Sequence, residues 1–294
     1  MSHFKAVLQA LLVTLLWSTS WVIIKIGLKD IPALPFAGLR YTLAFLCLIP
    51  LATSTERWQQ IKNLTRRDWG HLAILGFLFY TLTQGAQFLA LDYLPAVTLS
   101  LLLNFSAIVV ALLGMIFLAE VPRRIQWVGM MIFLAGVLFY FYPVLLPMSE
   151  VRGLLVGLLG VLANSGAALL GRHVNRAGHI SGFTVTLVSM GIGAILLLVL
   201  GFVVDGLPHL SLLHWFMIGW LALINTAFAF TLWNHTLRTL SAAESSIINN
   251  TMLIQIAVLA WIFLGETISF QESLAMLIAA GGILLTSWAG GKSS

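Results

Sequence analysis

Long apolar runs separated by short polar breaks dominate this chain. Ten such runs lie near 6–27, 35–53, 70–90, 95–118, 125–146, 153–172, 181–203, 212–235, 243–264 and 271–289. Each approaches the roughly 20 helical residues that cross a bilayer. None alternates with a period of two, and lipid does not tolerate open strand edges, so the runs read as helices. They are numbered here as spans 1 to 10. The longest polar break, 54–69 (STERWQQIKNLTRRDW), predicts a short interfacial helix.

Composition supports this reading. The chain is 60% hydrophobic and 9% charged, with a mean hydropathy of +1.01. A soluble domain needs about 25% charged residues, so lipid is the solvent for most of this surface. Only Lys5 precedes the first run and no small-residue cleavage pattern follows it. Span 1 is therefore expected to be a retained helix rather than a cleaved signal. The single cysteine, Cys47, lies within an apolar run and excludes an internal disulfide. The net charge of +5 is spread over the breaks between spans, which is no nucleic-acid footprint.

The chain also repeats itself. Shifted by 146 positions without a gap, residues 91–138 meet 237–284 with 16 of 48 pairs identical. Asn104 falls on Asn250, Glu120 on Glu266 and Gly136 on Gly282. Shared apolar character does not align Asn, Glu and Gly, so the protein is an internal duplication. The copies are taken as 1–147 and 148–294, five spans each. Lys and Arg divide eleven to four between the two sets of breaks. Lys5, Arg57, Lys62, Arg66, Arg67, Arg123, Arg124, Arg172, Arg176, Arg238 and Lys292 oppose Lys25, Lys29, Arg40 and Arg152. This bias predicts both termini on the cytoplasmic side. An odd number of spans per copy makes the second enter from the opposite face. The expected fold is thus an all-α integral membrane protein of ten transmembrane helices in two inverted-topology five-helix repeats.

Polar residues within a span must find partners or line a wet cavity. Spans 1, 3, 4, 6, 8 and 9 carry nearly all of them, and spans 2, 5, 7 and 10 little beyond aliphatic residues, Phe, Met and Gly. A central cavity enclosed by the first group follows. Its candidate lining is Trp17, Ser18 and Trp21 on span 1; Tyr80, Gln84 and Gln87 on span 3; Asn104 on span 4; Asn164 on span 6; Asn225, Trp233 and Asn234 on span 8; and Asn249 and Asn250 on span 9. Interhelical hydrogen bonding, worth about 0.6 kcal/mol each, is the competing role. Asn104 and Asn250, the equivalent pair, either bind solute or clamp a neighbouring backbone. Glu120 and Glu266 sit at helix ends, where they are expected to cap or pair with the start of the following helix. Lys25 and Arg40 are expected to snorkel to the headgroups from the ends of their spans.

No Asp or Glu lies near the centre of a span. Glu244 and His235 are the only candidates for proton coupling. A lining of Trp, Tyr, Asn, Gln and Ser suits a neutral or zwitterionic organic solute better than an inorganic ion. HExxH, Walker A, GxSxG and CxxC motifs are absent, and no histidine pair has metal-ligand spacing on one helix. The expectation is no enzyme, no cofactor and no metal.

The segments LLWSTSWVIIKIG (15–27) and AGLRYTLAFL (37–46), and the duplicated ends IFLAE…GMMIFLAGVLF and IFLGE…AMLIAAGGILL, carry a resemblance. Over about 6–289 the chain resembles EamA-type members of the drug/metabolite transporter superfamily. The resemblance implies ten helices in 5+5 inverted repeats, a central cavity, alternating access, and export or uptake of small metabolites. The YddG-like aromatic amino acid exporters are the nearest functional analogy. Many members carry a proline in spans 4 and 9 where this chain has Ala107 and Leu253. The function expected is secondary transport, as an exporter, of a small organic metabolite such as an amino acid across the cell membrane. A channel, a lipid flippase and an intramembrane enzyme are the competing classes. The sequence sets no oligomeric state, and a monomer suffices.

Overall fold

The computed structural model describes residues 3–52, 55–118, 123–142, 148–176, 180–237, 239–240 and 242–290. Among these residues the chain is helical throughout, with no strand. The first half comprises α1 (His3–Gly27), α2 (Ala33–Ala52), α3 (Thr55–Lys62), α4 (Arg66–Gly76), a π-helical stretch (Phe77–Thr83), α5 (Gln84–Tyr93), α6 (Ala96–Leu103), α7 (Ser106–Leu118) and α8 (Arg124–Tyr140). The second comprises α9 (Met148–Arg176), α10 (Gly182–Asp205), α11 (Leu212–Ala222), a π-helical stretch (Leu223–Phe228), α12 (Ala229–Thr236), α13 (Ala242–Leu264) and α14 (Phe270–Gly290). The short helix α3 falls where the 54–69 break predicts one.

Eight helical rods among the described residues are long and apolar enough to cross a membrane. Two of them join three segments each: α4 runs through its π stretch into α5, and α11 through its π stretch into α12. The shorter apolar helices Arg124–Tyr140 and Phe270–Thr286 occupy the positions of spans 5 and 10. These helices carry many large apolar side chains on their outer faces, among them Ile116, Leu138, Leu162, Val203, Phe216 and Phe263. Helices apolar all round belong in lipid, because water would not tolerate those faces.

Local chemistry explains where the rods start and widen. Thr65 accepts a hydrogen bond from the Asp68 amide while the Asp68 carboxylate accepts from the Thr65 amide, a capping box that opens α4. The same box recurs 146 positions later, where Ser211 and His214 open α11. The two π stretches also start 146 positions apart, at Phe77 and Leu223. Within each, a threonine hydroxyl donates to the carbonyl five residues back: Thr83 to Leu78 and Thr226 to Leu221, both at 2.8 Å. Widening a helix weakens its regular ladder, and these hydroxyls satisfy carbonyls the ladder leaves short.

Packing pairs equivalent helices. α2 lies along α10 and α8 along α14, while α1 packs on α13 and α12, and α9 packs on α7 and α5. Exchanging the two halves maps this set of neighbours onto itself. His3 pairs with Glu244 and Ser18 with Gln255, so α1 and α13 run parallel. The closest approach between the halves is made by glycine. A Cβ on Gly193 would stand 2.2 Å from the Gly76 carbonyl oxygen, and one on Gly76 would stand 2.3 Å from that of Ser189. The equivalent Gly136 and Gly282 serve the α8–α14 contact in the same way, against Ala279 and Phe133 backbone.

Gly193→Ala is expected to lower stability by about 1–3 kcal/mol, because both colliding partners are backbone. Gly219→Ala, where a Cβ meets nothing within 4 Å, should be neutral or slightly stabilising. Thermal unfolding of the two variants in one detergent distinguishes them, and equal melting temperatures would contradict the packing described.

Candidate functional site

The π stretch of span 3 sets the centre of the site. Tyr80 is buried, stacked edge-on to Phe79 at 4.9 Å and to Tyr41 of α2 at 5.6 Å between ring centroids. Tyr41 donates its hydroxyl to Gln84 Oε1 at 2.6 Å, which fixes the first residue of α5. Thr81 donates to the Gly193 carbonyl at 2.8 Å and ties the stretch to α10. Beside it lies a cavity of about 200 Å³ between the two halves, lined by Leu75, Phe79, Tyr80, Asn164, Thr186 and Ser189 among others. Ser189 spends its hydroxyl on the Val185 carbonyl. Neither the Tyr80 and Thr186 hydroxyls nor the Asn164 amide hydrogen-bonds another described residue, so the cavity has three free polar groups.

A second cluster lies where α1 meets α12 and α13. Trp17 stacks against Phe230 and Trp233, each at 5.3 Å. The next residue, Ser18, donates to Gln255 Oε1 at 3.0 Å, and Gln255 Nε2 donates to Thr14 and Thr251. The indole nitrogen of Trp17, Gln9 Oε1, Ser245 Oγ and Asn250 Nδ2 are buried without partners. Trp21 is buried in the main apolar core nearby. Asn225 joins span 8 to α1: its Nδ2 donates to the Leu16 carbonyl and reaches Thr19 and Ser20, while its Oδ1 is buried and unpartnered.

Several expectations from the sequence are redrawn by the structure. Arg40 does not snorkel; it is 6% exposed, with Nε on Thr226 Oγ1 at 3.3 Å. Span 2 therefore contributes Arg40 and Tyr41 to the interior, and span 7 contributes Thr186 and Ser189 to the cavity. The division that assigned spans 2 and 7 to scaffold fails because one polar residue per turn suffices when a glycine contact brings its helix close. Asn249 is exposed on α13, and Gln87 is half-buried. The coupling candidates are peripheral: His235 is exposed, and Glu244 is 40% exposed at 2.7 Å from His3. Glu120 and the side chain of Asn234 lie outside the described residues.

Lys25 and Glu266 are redrawn most. Lys25 Nζ donates to the carbonyls of Leu91 at 2.5 Å and Leu94 at 2.9 Å, closing the C-terminal end of α5. Glu266 accepts from the amides of Ala96 at 2.8 Å and Val97 at 3.3 Å, closing the N-terminal end of α6. The glutamate thus caps a helix of the other half, not the one that follows it. Gly265, at φ +67°, ends α13 and lets the Glu266 amide return to the Ala260 carbonyl. Both charges match the helix dipole they face.

Asn104 and Asn250 behave differently. The rod of span 4 is interrupted at Asn104–Phe105, and Asn104 Nδ2 donates to the Ser100 carbonyl at 2.7 Å. α13 passes through Asn250 unbroken, and Asn250 Nδ2 has no partner. No cluster of three His, Cys, Asp or Glu residues that could hold a metal is present among the described residues.

The described residues thus form an apolar bundle with a small, mainly apolar cavity between its halves that a few polar groups enter. The EamA-like transporter family matches residues 4–142 and 151–288, and the chain belongs to it. The uncharacterized transporter YoaV of Bacillus subtilis is 25% identical over 295 residues, covering 97% of each chain. An uncharacterized transporter of Archaeoglobus fulgidus is 35% identical over 140 residues, which is 47% of this chain and 44% of that one. A crystal structure of a protein at 17% identity shares the fold, with a TM-score of 0.68 over 97% of this chain and 98% of the other. The protein is a multi-pass membrane transporter, not an enzyme.

Glu266→Ala is expected to cost about 1–2 kcal/mol by stranding the α6 amides, and Lys25→Met a similar amount at the end of α5. Glu266→Gln, which keeps an acceptor, should retain most of the stability. Chemical denaturation of the detergent-solubilised variants is the check; an Ala variant as stable as wild type would remove the cap from the account.

Proposed function

We propose that the protein is a secondary carrier exporting a small organic metabolite, such as an amino acid, by alternating access. The observation that carries this reading is the cavity between the halves with its three unpartnered polar groups, on Tyr80, Asn164 and Thr186. At about 200 Å³ it is smaller than the 300–1,000 Å³ of drug-sized sites. That size favours a compact metabolite over a lipid, and the aromatic surface of Tyr80 and Phe79 favours an organic solute over a bare ion.

The carrier would have ten spans, in repeats 1–147 and 148–294 related by inversion, with both termini cytoplasmic. The even distribution of neighbours under exchange of halves supports the repeat relation, and the eleven-to-four bias of basic residues supports the orientation. The unequal state of Asn104 and Asn250 supports alternation. Inverted repeats that exchange conformations give a carrier its two openings. In this reading, the opposite-facing state breaks span 9 at Asn250, whose amide then takes the Ser246 carbonyl as Asn104 takes that of Ser100. Span 4 straightens in the same step. Trp17, Trp233 and Gln84 would border the path, with Trp21 and Asn225 supporting it from behind.

In proteoliposomes, flux of the transported metabolite should saturate and be stimulated by the same solute on the far side. Tyr80→Ala, Asn164→Ala and Asn250→Ala should each reduce it about three- to tenfold, the worth of one or two hydrogen bonds. Flux that never saturates would indicate a channel, and undiminished flux in all three variants would displace the site.

A further inference from the structure

Arg40 has no part in the cavity just described, yet it is the most heavily buried charge in the described chain. It stands seven residues into α2, about 10 Å along the helix from Ala33. Its one hydrogen bond runs from Nε to Thr226 Oγ1, whose own proton is committed to the Leu221 carbonyl. The guanidinium carbon lies 5.0 Å from the ring centroid of Tyr41 and 6.0 Å from that of Phe88. Among the described residues no carboxylate pairs with it, and its two terminal nitrogens meet no acceptor.

This arrangement holds a charge in the interior with no counter-charge among the described residues. A buried ion left without an opposite charge is costly. Two cation–π contacts and one neutral hydroxyl acceptor orient the guanidinium but supply no opposite charge. The part of the guanidinium left bare is the fork that accepts a planar oxyanion through two parallel N–H···O bonds. The aromatic rings hold the guanidinium in place without neutralising it. Asn225, next to Thr226, also retains an unmet acceptor in its buried Oδ1, so this layer of the protein has unfilled polar capacity on two side chains. Arg40 connects to the cavity cluster through its neighbour Tyr41, which donates to Gln84 and stacks on Tyr80.

We propose that Arg40 is the receptor for a carboxylate on the transported solute, which makes the substrates zwitterionic or anionic carboxylates rather than amines or neutral compounds. The inference rests on the carrier reading for the word transported, but the anion site itself does not. Arginine suits the task better than lysine because its planar fork stays charged when buried and pairs with both carboxylate oxygens. Thr226 and the two rings set the fork's orientation before the solute arrives.

The test uses full-length protein in nanodiscs, as wild type, Arg40→Gln and Arg40→Lys. Ligand-free Arg40→Gln should melt no lower than wild type, since it removes an unpaired charge; a fall of several degrees would make Arg40 a structural cation and overturn the proposal. The probes are the proteinogenic amino acids, acetate, pyruvate and benzoate. They are set against methylamine, phenethylamine, chloride and inorganic phosphate. At least one carboxylate should raise the wild-type melting temperature while its decarboxylated amine and the inorganic anions do not. Arg40→Gln should weaken that response roughly 10- to 100-fold in apparent affinity, and Arg40→Lys, which folds with the charge in place, should weaken it less. No carboxylate response in wild type overturns the proposal. So does an equal response to the amine, chloride or phosphate, or an undiminished response in Arg40→Gln. Counterflow separates the two readings. Saturable flux unchanged in Arg40→Gln rejects the receptor and keeps the carrier, whereas carboxylate binding lost in that variant without any saturable wild-type flux keeps the receptor and rejects the carrier.

Discussion

A polar group inside a bilayer has no water to fall back on, and this constraint shapes every functional feature of the protein. The turn between α5 and α6 shows it most plainly. Two helices end there with unpaired carbonyls on one side and unpaired amides on the other. A lysine from span 1 takes the carbonyls, and a glutamate from the far end of span 9 takes the amides. Spans 1, 3, 4 and 9 are thereby joined at one point by charges whose signs are fixed by the dipoles they meet. Removing either charge takes the side-chain partner from part-buried backbone groups. One helix end in the first half is thus satisfied by a side chain of the second.

The same constraint explains why the site lies where the helices are irregular. A regular helix consumes all its backbone groups and offers only side chains. The π stretches at Phe77–Thr83 and Leu223–Phe228 loosen the ladder at equivalent depths in spans 3 and 8. Threonine hydroxyls repair most of the damage, and the residues between are turned to new directions. Tyr80 lies inside one stretch and Asn225 inside the other. The Gly76–Gly193 contact then brings α10 against the first stretch closely enough for Thr81 to bond across. Irregular backbone at membrane depth is tolerated only where protein covers it or a cavity receives it, and here both conditions hold.

Much of the architecture was legible in the sequence because it depends on periodic or additive properties. Span positions follow from summed hydropathy, the duplication from aligned Asn, Glu and Gly, and a short helix within the 54–69 break from its length and polar composition. The capping boxes were legible in principle, since Thr65–Asp68 and Ser211–His214 stand at the right spacing before apolar runs. The π stretches were not: FLFYTLT and LINTAF contain nothing that distinguishes them from ordinary helix, and the widening is stabilised by tertiary bonds. Span 2 was misjudged for a related reason. An adjacent Arg40–Tyr41 pair in an apolar run is a detectable signal, but hydropathy averages it away against the surrounding leucines. The exposure of Asn249 beside the half-buried Asn250 was unpredictable without knowing which face of α13 meets α1.

Lys25 and Arg40 illustrate the deeper limit. Both are cations within about two turns of an end of their helices, and both are long enough to reach the headgroups. Sequence position therefore assigns them the same fate. The structure separates them by what comes within reach: Lys25 meets the open end of α5, whereas Arg40 meets two aromatic rings and a hydroxyl. A helix terminus can absorb a full charge because its carbonyls carry the opposing partial charge. Rings and a hydroxyl can orient a charge but hold too little opposing charge to balance it. The two cations consequently differ in kind: one closes a helix end, and the other keeps a fork that no described residue pairs.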